Sequence, residues 1–361
     1  MTAEQSQAPR VYIVLVNWKG AADTLECLET VFRLDHPNFE VVVCDNDSGD
    51  GSVERIMAWA AGEGPAVSAQ NPALAHLLTP NIPKPVPAQM LSREQAEAAP
   101  PAAPSDPQAA RLTVIRTGGN LGFAGGNNIG IRYAQQRGDM AYVWLLNNDT
   151  VVEPAALSAM VERAVEADDM GIVGSTLIFY HQPDAMQAMG GASFNPSRAL
   201  SIPVGCFERP EIASQSNRDE IERQLSYVVG ASMLVPRKFF NTVGLMNEDF
   251  FLYFEELDWA VRGGRSGFDC LYSPRSIVFH KVGASTDRKK HGRLTATVKF
   301  AYLNRLKFTM MNFEGQMKRV RLRIFLEGGR ELLMGNHEEG MYAIRLATAS
   351  RYELMSMNLR S

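Results

Sequence analysis

Short, wholly apolar runs separated by helical segments constrain the fold of this chain more than any other feature. Residues 11–16 (VYIVLV) and 142–146 (YVWLL) contain no polar side chain, and 39–44 is nearly as apolar. After the first run, Leu25, Leu28 and Phe32 recur at helical spacing. Strands buried on both faces that alternate with helices are typical of parallel sheets. The sequence therefore predicts an α/β fold with a mostly parallel central sheet flanked by helices.

Two segments depart from this rhythm and suggest the domain organisation. Residues 61–110 hold 10 of the 19 prolines together with 13 alanines and show little periodicity. Such a composition predicts an insertion that forms a loop between a helix and the next strand. From residue 291 the pattern predicts amphipathic basic helices. We therefore expect one domain over 10–290 and a C-terminal helical extension over 291–361.

Charge is distributed unevenly along the chain. The net charge is −4, but residues 281–323 contain 12 Lys+Arg and only two acidic residues, a local balance of +10. The acidic remainder disfavours a protein that coats nucleic acid. A basic amphipathic segment suits contact with anionic lipid, although the solvated face of an ordinary packed helix has the same pattern. Four dispersed cysteines and the absence of a long apolar run predict a cytoplasmic protein.

Polar residues end three of the predicted strands. They are Asn17, the run 45–47 (DND) and the run 147–149 (NND). Ligands bind at the carboxyl ends of strands in open parallel sheets. These side chains could accept hydrogen bonds from a nucleobase and ribose, or hold a divalent cation against a diphosphate.

Three further groups could contribute chemistry. The glycine-rich run 118–128 joins a strand to a helix and could bring backbone amides to an anionic ligand. Glu255, Glu256 and Asp258 follow an aromatic run, where burial could turn a carboxylate into a general base. His280 ends a strand and could complete a metal site.

Taken in order, these motifs resemble the family 2 inverting glycosyltransferases of the GT-A fold. The branch they most resemble is the bacterial rhamnosyltransferases that build cell-surface and cell-wall polysaccharides. The matching segments are VNW, CDNDSGDGS, NLGFAGGNNIG, LLNNDT, VVGASMLVPR, FFLYFEELDW and FHKVGAST. They span about residues 10–310 in the family's order, with no counterpart for the 61–110 insertion.

The resemblance implies a donor site at the strand ends. The residues that would bind the nucleotide sugar are Asn17, Asp45, Asp47, Asn120, Gly122, Phe123, Asn127 and Asn148. The residues that would hold Mg²⁺ or Mn²⁺ are Asn147, Asp149 and His280. Asn147 stands where the family has the first aspartate of its metal-binding motif, so Asp149 is the only acidic member of this run.

The resemblance also implies the position of the catalytic base. Glu255, Glu256 and Asp258 match the family's acidic motif, with Glu256 in place of the usual aspartate. Both Glu255 and Glu256 remain candidates for the base. Gly230 and Ala231 would lie near the acceptor or the diphosphate.

The resemblance implies transfer of a sugar to a saccharide or to a polyprenyl-diphosphate-linked saccharide. The expected donor is dTDP-L-rhamnose, with a UDP-hexose as the alternative. A peripheral contact of 281–323 with the inner face of the membrane is expected, and a homodimer is left open. Two readings from other classes are a nucleotidyltransferase, for which 17–20 (NWKG) supplies only one lysine, and a nucleotide-sugar-binding module that has lost catalysis.

Overall fold

The computed structural model describes residues 8–102, 111–282, 289–290 and 293–357, with backbone alone for 289, 290 and 293. The strands are β1 (Val11–Asn17), β2 (Phe39–Asp45), β3 (Ala88–Ser92), β4 (Leu112–Arg116), β5 (Tyr142–Leu146), β6 (Thr150–Val152), β7 (Gly171–Phe179), β8 (Gln182–Met189), β9 (Gly191–Asn195), β10 (Leu200–Pro203), β11 (Tyr227–Val228), β12 (Ser232–Pro236), β13 (Asp269–His280), β14 (Lys289–Lys290) and β15 (Arg293–Leu294).

The helices divide into those around the sheet and those at the C-terminal end. They are α1 (Ala21–Val31), α2 (Ser52–Ala61), α3 (Arg93–Glu97), α4 (Gly122–Gln136), α5 (Ala156–Glu166), α6 (Glu211–Gln215), α7 (Arg218–Gln224), α8 (Arg237–Val243), α9 (Glu255–Arg265), α10 (Ala296–Asn312), α11 (Met317–Leu333), α12 (His337–Thr348) and α13 (Arg351–Ser356).

A ten-stranded sheet forms the centre of the molecule. Its order is β3-β4-β2-β1-β5-β12-β7-β13-β6, with β8 beside β7. The first five strands in this order are mutually parallel, and β13 is parallel to β7. β12 runs antiparallel between β5 and β7, so its first residue, Ser232, pairs with the last residue of β5, Leu146. The predicted α/β fold with a mostly parallel central sheet is confirmed.

Apolar side chains fill both faces of the sheet. Along β1, Ile13 and Leu15 join one core cluster, while Tyr12 and Val14 join another on the opposite face. Alternate strand residues point to opposite faces, so an unbroken apolar run is the sequence that both buried faces require. Helices α1 and α2 cover the first face, and α4 covers the second.

The segment 61–110 differs from the predicted loop. β3 lies at the edge of the sheet, parallel to β4, and Ser92 caps the short helix that follows. Glu29 anchors the preceding stretch because its carboxylate accepts a hydrogen bond from the Ile82 N–H at 2.8 Å. An edge strand of only five half-exposed residues needs no apolar run. The hydrophobic pattern of the sequence therefore could not indicate β3. Residues 103–110 lie outside the described part.

The C-terminal helices α10 to α13 share a core of their own. Leu306, Val320, Ile324 and Leu346 are fully buried in it, and Ala199 from the turn before β10 packs against them. This core attaches the helices to the side of the sheet domain that carries β9 and β10. No helix among the described residues is long and apolar enough to cross a membrane.

The basic segment 281–323 is less exposed than its charge indicates. Lys281 donates to Asp23 at 2.6 Å and to Glu26 at 2.5 Å. Arg305 pairs with Glu327, and Lys307 is buried. These three cations are internal and therefore do not face a membrane. Residues 283–288 and 291–292 of the segment lie outside the described part of the chain.

Candidate active site

Asn17 and Asp45 form the donor end of the candidate site. They are paired in register at the ends of β1 and β2, and both side chains are buried. Asn17 Nδ2 donates to Asp45 Oδ2 at 2.6 Å, and Ser48 Oγ donates to the same oxygen at 2.6 Å. The Ser48 backbone N–H donates to Asp45 Oδ1 at 3.0 Å. The Asp45 carboxylate is thus held in one orientation by three donors.

A pocket of about 400 Å³ opens beside this pair. Its wall includes Asp45, the exposed Asp47, Arg116 and glycines of the turn between β2 and α2. Arg116 forms an ion pair with Glu54, in which Arg116 Nη2 lies 2.6 Å from Glu54 Oε1. The pocket therefore combines fixed acceptors with an arginine at a rim where a nucleoside could lie.

The glycine-rich run packs closely against the segment that precedes α9. Gly122 has φ +71°, and a Cβ there would lie 2.1 Å from the Phe251 carbonyl oxygen. The Phe123 N–H donates to that same carbonyl at 2.9 Å. Only glycine accepts both this backbone conformation and this approach. Gly122 therefore couples the start of α4 to the acidic segment.

The asparagines of this run support its shape. The exposed Asn120 accepts the Gly122 N–H through its side chain at 3.1 Å. The buried Asn127 donates to the Phe123 carbonyl at 3.0 Å. Asn46 Nδ2 donates to the Gly122 carbonyl at 2.9 Å. These contacts order the loop, and the half-buried Phe123 ring extends from it toward the acidic segment.

The predicted metal residues lie together at the end of β5 and β13. His280 Nε2 lies 3.3 Å from Asp149 Oδ1 and 3.3 Å from Asn147 Nδ2. His280 Nδ1 faces Gln187 Oε1 at 2.8 Å. Asn148 turns away, and its Nδ2 donates to Thr24 Oγ1 at 2.9 Å. Burial raises the pKa of Asp149, but the hydrogen bond and charge of His280 outweigh it and hold that pKa below its usual value.

This donor set fits a divalent cation that is shared with a bound diphosphate. With a cation bound, His280 would lose its Nε2 proton, and a ring that donates from Nδ1 to Gln187 would direct the Nε2 lone pair toward the cation beside Asp149. An amide flip would present the Asn147 oxygen to the same point. Among the described residues no group of three His, Cys, Asp or Glu side chains is arranged to hold a metal ion by itself. One carboxylate, one imidazole and one amide leave coordination places for phosphate oxygens, as Mg²⁺ sites on nucleotides require.

Gly230 and Ala231 lie between the metal residues and the acidic segment. The Asn147 N–H donates to the Ala231 carbonyl at 3.0 Å, because antiparallel β12 begins where β5 ends. A Cβ on Gly230 would lie 3.3 Å from the Phe123 ring and 3.8 Å from Glu256 Oε1. The small residue at 230 therefore keeps open the space between Phe123 and Glu256.

The three acidic residues at the start of α9 have different surroundings. Asp258 pairs with Arg262 at 2.9 Å and accepts from Asn312 Nδ2 at 2.9 Å, so both of its oxygens are engaged. Glu255 Oε2 and Glu256 Oε2 are buried and have no hydrogen-bond partner among the described residues. These contacts favour an anchoring role for Asp258 over the predicted proton transfer.

Burial dominates the electrostatics of the two glutamates. It raises the pKa of Glu256 to about 7. Burial and the charge of Glu256 raise the pKa of Glu255 well above its usual value. Glu256 lines a second pocket, of about 510 Å³, between β10, β11, α9 and α10, and Glu255 does not line it. Glu256 is therefore the carboxylate placed to exchange a proton with a molecule in this pocket.

The structure brings together most of the predicted site residues. Asn17, Asp45 and Asp47 lie at one end, the metal residues in the middle, and Glu256 at the other end. Sequence reasoning missed the supporting residues Ser48, Thr24 and Gln187, and also Tyr227 and Tyr302, which line the 510 Å³ pocket beside Glu256. Ser48 lies inside the CDNDSGDGS motif and could have been singled out. Gln187 on β8 carries no local signal, since only the pairing of β7 with its neighbours brings it to His280.

Comparisons with known proteins agree with this architecture. The family model for glycosyl transferase family 2 matches residues 93–244. N-acetylglucosaminyl-diphospho-decaprenol L-rhamnosyltransferase of Mycobacterium tuberculosis is 27% identical over 219 residues, covering 55% of this chain and 69% of that protein. A low-salt glycan biosynthesis hexosyltransferase of Haloferax volcanii is 25% identical over 158 residues, covering 43% of this chain and 47% of that protein.

Among solved structures, GalNAc-T7 with UDP, GalNAc and Mn²⁺ aligns at a TM-score of 0.50 and 14% identity. The alignment covers 76% of this chain and 44% of that one, so this chain spans less than half of that neighbour's length. The family assignment decides against the nucleotidyltransferase alternative. The chain is therefore a glycosyltransferase: residues 93–244 match glycosyl transferase family 2, and the central sheet has the fold of its glycosyltransferase neighbour.

Proposed function

We propose that this glycosyltransferase inverts the anomeric centre of a nucleotide sugar in a single displacement, with Glu256 as the base. The observation that carries the proposal is the buried, unpartnered Glu256 Oε2 at the wall of the 510 Å³ pocket. A carboxylate whose burial holds its pKa near 7 can take a proton at neutral pH. Nothing else among the described carboxylates combines these features with a place in the pocket.

The donor would bind at the other end of the site. Asp45 keeps acceptor capacity beyond its three donors and faces the pocket of about 400 Å³, where the imide N–H of a pyrimidine could donate to it. Asn17, Asp47 and the loop that contains Asn120 would border the nucleoside. The sugar would then extend past Gly122 and Phe123 toward Gly230.

Asp149, His280 and Asn147 would hold Mg²⁺ or Mn²⁺ next to the diphosphate. When bound, the cation neutralises the charge that develops on the departing diphosphate. Gln187 would fix the orientation of the His280 ring toward the cation. The GalNAc-T7 structure with UDP and Mn²⁺ is consistent with this use of a divalent cation.

The acceptor hydroxyl would lie between Glu256 and the anomeric carbon. Glu256 takes the hydroxyl proton as the oxygen attacks the face opposite the diphosphate, which inverts the configuration. No covalent intermediate on the enzyme is needed, in contrast to retaining glycoside hydrolysis. Glu255 is buried behind Glu256, and its preference for the neutral form keeps a second negative charge away from the base.

The donor and acceptor are proposed from the relatives together with the pocket. The mycobacterial relative is named for L-rhamnose and for a decaprenol-linked acceptor, so dTDP-L-rhamnose and a polyprenyl-diphosphate-linked saccharide are the first choices. The second pocket is lined mainly by apolar atoms, with Tyr227, Tyr253 and Tyr302 in its wall. Aromatic walls suit the apolar faces of sugar rings. A UDP-hexose is the alternative donor.

The experiment is a thermal-shift panel of nucleotide sugars, measured with and without Mn²⁺, followed by assay of nucleoside diphosphate release. We expect Mn²⁺-dependent stabilisation, greatest with dTDP-L-rhamnose, because ligands that bind only the folded state raise its stability. Stabilisation by UDP-hexoses alone would identify a UDP-hexose as the donor in place of dTDP-L-rhamnose and would leave the proposed reaction unchanged. Binding without turnover for any acceptor would indicate a binding module, and no response to any nucleotide would overturn the proposal.

A further inference from the structure

Helix α11 has apolar side chains on two opposite faces. On the inner face, Val320 and Ile324 are fully buried in the core of the C-terminal helices. The outer face carries large apolar residues at helical spacing whose exposures are 43–91%: Leu322, Phe325, Leu326 and Leu333. A helix that is apolar on both faces is expected to be covered on both. No described residue therefore covers the outer face of α11, although its side chains are suited to a partner.

Positive charge flanks this outer face. Lys318, Arg319 and Arg330 are exposed, and none of them forms an ion pair with any described residue. The acidic residues of the same helix are engaged elsewhere. Glu327 pairs with Arg305 and with Arg323, and Glu331 accepts from Asn336 Nδ2. The outer face thus combines exposed apolar side chains with uncompensated cations.

We propose that the outer face of α11 binds an anionic lipid surface, lying in the plane of the headgroups. Apolar side chains in line with flanking lysine and arginine are what interfacial binding to anionic lipid requires. A second copy of the chain is the main rival occupant. A symmetric contact through this face would bring the same unpaired cations of two copies together, which opposes association.

This surface includes only some of the cations of the basic segment 281–323 that the charge distribution indicates. Lys281, Arg305 and Lys307 are held inside the protein, whereas Lys318 and Arg319 are exposed. Apolar exposure on α11 also continues to Leu333, beyond that segment. The proposal therefore rests on the geometry of one helix and not on the count of charges.

Helix α11 also contributes a residue to the pocket of the proposed base. Glu327, the residue after the exposed Leu326, lines the 510 Å³ pocket together with Glu256. A bilayer on the outer face of α11 would therefore be separated from the pocket by the width of one helix, ~10 Å. A lipid-linked acceptor could keep its chain in the membrane while its saccharide enters the pocket. This last step rests on the proposed function, whereas lipid binding by α11 does not.

The test is co-sedimentation of the full chain with vesicles. Equimolar phosphatidylglycerol and phosphatidylcholine vesicles are compared with vesicles of phosphatidylcholine alone, at low and high salt. We expect binding to the anionic vesicles, weakened by salt. The triple variant Leu322→Gln/Phe325→Gln/Leu326→Gln and the triple variant Lys318→Gln/Arg319→Gln/Arg330→Gln should each bind about tenfold more weakly.

A matched control replaces apolar residues of similar exposure elsewhere. Met90 on β3 and Val165 on α5 are 48% and 59% exposed, and Met90→Gln/Val165→Gln should bind like the parent protein. Equal binding by all variants, or binding to neither kind of vesicle, overturns the proposal. A parent dimer that the apolar triple variant converts to monomer also overturns it, in favour of a second copy.

Failure of the lipid proposal can be separated from failure of the proposed function. The apolar triple variant should keep the same thermal shift with nucleotide sugar and Mn²⁺ as the parent, because the three residues line neither pocket. Lost vesicle binding with an intact nucleotide response supports the lipid proposal. A protein that binds vesicles but no nucleotide would remove the proposed function and leave the lipid site standing.

Discussion

The carboxylates of Asp45, which is buried, and Glu256, which is half-buried with its Oε2 atom enclosed, have opposite surroundings. Asp45 accepts hydrogen bonds from Asn17 and, through its side chain and backbone, from Ser48. Glu256 Oε2 has no partner among the described residues, and burial raises its pKa to about 7. A carboxylate fixed by donors is suited to recognise a ligand, whereas one without donors is suited to exchange a proton.

The two sites are joined by one close approach. The Phe251 carbonyl accepts the Phe123 N–H while lying against Gly122, so the loop after the donor end is held to the segment before α9. Tyr253 and Phe254 in that segment have φ values of +69° and +75°, which few non-glycine residues adopt. Such backbone at the start of an acidic helix is typical of functional sites. The comparison therefore predicts different outcomes for substitution at each end and at the junction.

The largest expected effect is that of Glu256→Gln. We expect turnover to fall about 10²–10⁴-fold, because the amide cannot accept the acceptor's proton. Donor binding should stay within about twofold of the parent, since the donor end lies apart from Glu256. Initial rates of nucleoside diphosphate release and titration of donor binding measure the two effects.

Asp258→Asn and Glu255→Gln are the controls for that substitution. Asp258→Asn weakens the contact with Arg262 and should reduce thermal stability more than turnover. Glu255→Gln retains Glu256 and should retain measurable turnover. If Glu255→Gln abolishes turnover and Glu256→Gln does not, Glu255 is the base and Glu256 is not.

The junction between the two sites is tested by Gly122→Ala. Its new Cβ would meet the Phe251 carbonyl at 2.1 Å in a backbone conformation of positive φ, so the free energy of unfolding should drop by about 2–4 kcal/mol. Thermal denaturation and donor titration check this, because donor affinity should fall as the loop shifts. Gly119→Ala in the same loop is the matched control, since its Cβ would meet nothing within 4 Å. Equal stability of the two variants would show that the close approach does not hold the loop.

Asp45→Asn tests the hydrogen-bonded site. If the side-chain oxygen of the new asparagine accepts from the Ser48 N–H, its NH₂ group faces Asn17 Nδ2. Two hydrogen-bond donors would then face each other in the protein interior. We expect donor affinity to fall about 10–100-fold, a cost of about 1–3 kcal/mol. Isothermal titration with the nucleoside diphosphate measures it.

The control for Asp45→Asn is Asp50→Asn in the same turn. Asp50 is exposed and accepts from Ser52 through a single oxygen, which an asparagine can supply. Its donor affinity should match the parent. Unchanged affinity in Asp45→Asn would mean that the nucleoside does not use this carboxylate.

The sheet could be predicted because its signal is local. The wholly apolar β1 and β5 and the polar residues at their ends are visible in the sequence, and they locate Asn17 and Asn147 at one sheet edge. β3 could not be predicted, because an edge strand that is half exposed has no apolar pattern. Its pairing with β4 depends on tertiary structure.

The candidate site was predicted as a list of residues and not as an arrangement. Motif order indicated Glu255, Glu256 and Asp258 together, but only packing separates the anchored Asp258 from the unpartnered glutamates. Gln187, which orients His280, comes from a strand with no motif. Burial and partner identity are properties of contacts distant in sequence, and a linear pattern does not contain them.

The last prediction concerns pH, on which Glu256 gives stability and turnover opposite dependences. The pKa of Glu256 is raised to about 7 in the folded protein, above its unfolded value, so the folded state binds more protons between these two values. The stability that this group contributes is therefore complete below the unfolded pKa and is lost as the pH rises through about 7. Glu256→Gln should remove this dependence and raise the free energy of unfolding at pH 8 by about 2 kcal/mol.

Turnover has the opposite slope: it should increase as the pH rises through about 7, because only the ionised base accepts the proton. Urea denaturation of the parent and of Glu256→Gln at pH 5 and pH 8 tests the stability, and a pH–rate profile tests the turnover. If the stability of the parent does not decline relative to the variant between these pH values, the surroundings of Glu256 do not disfavour its charge.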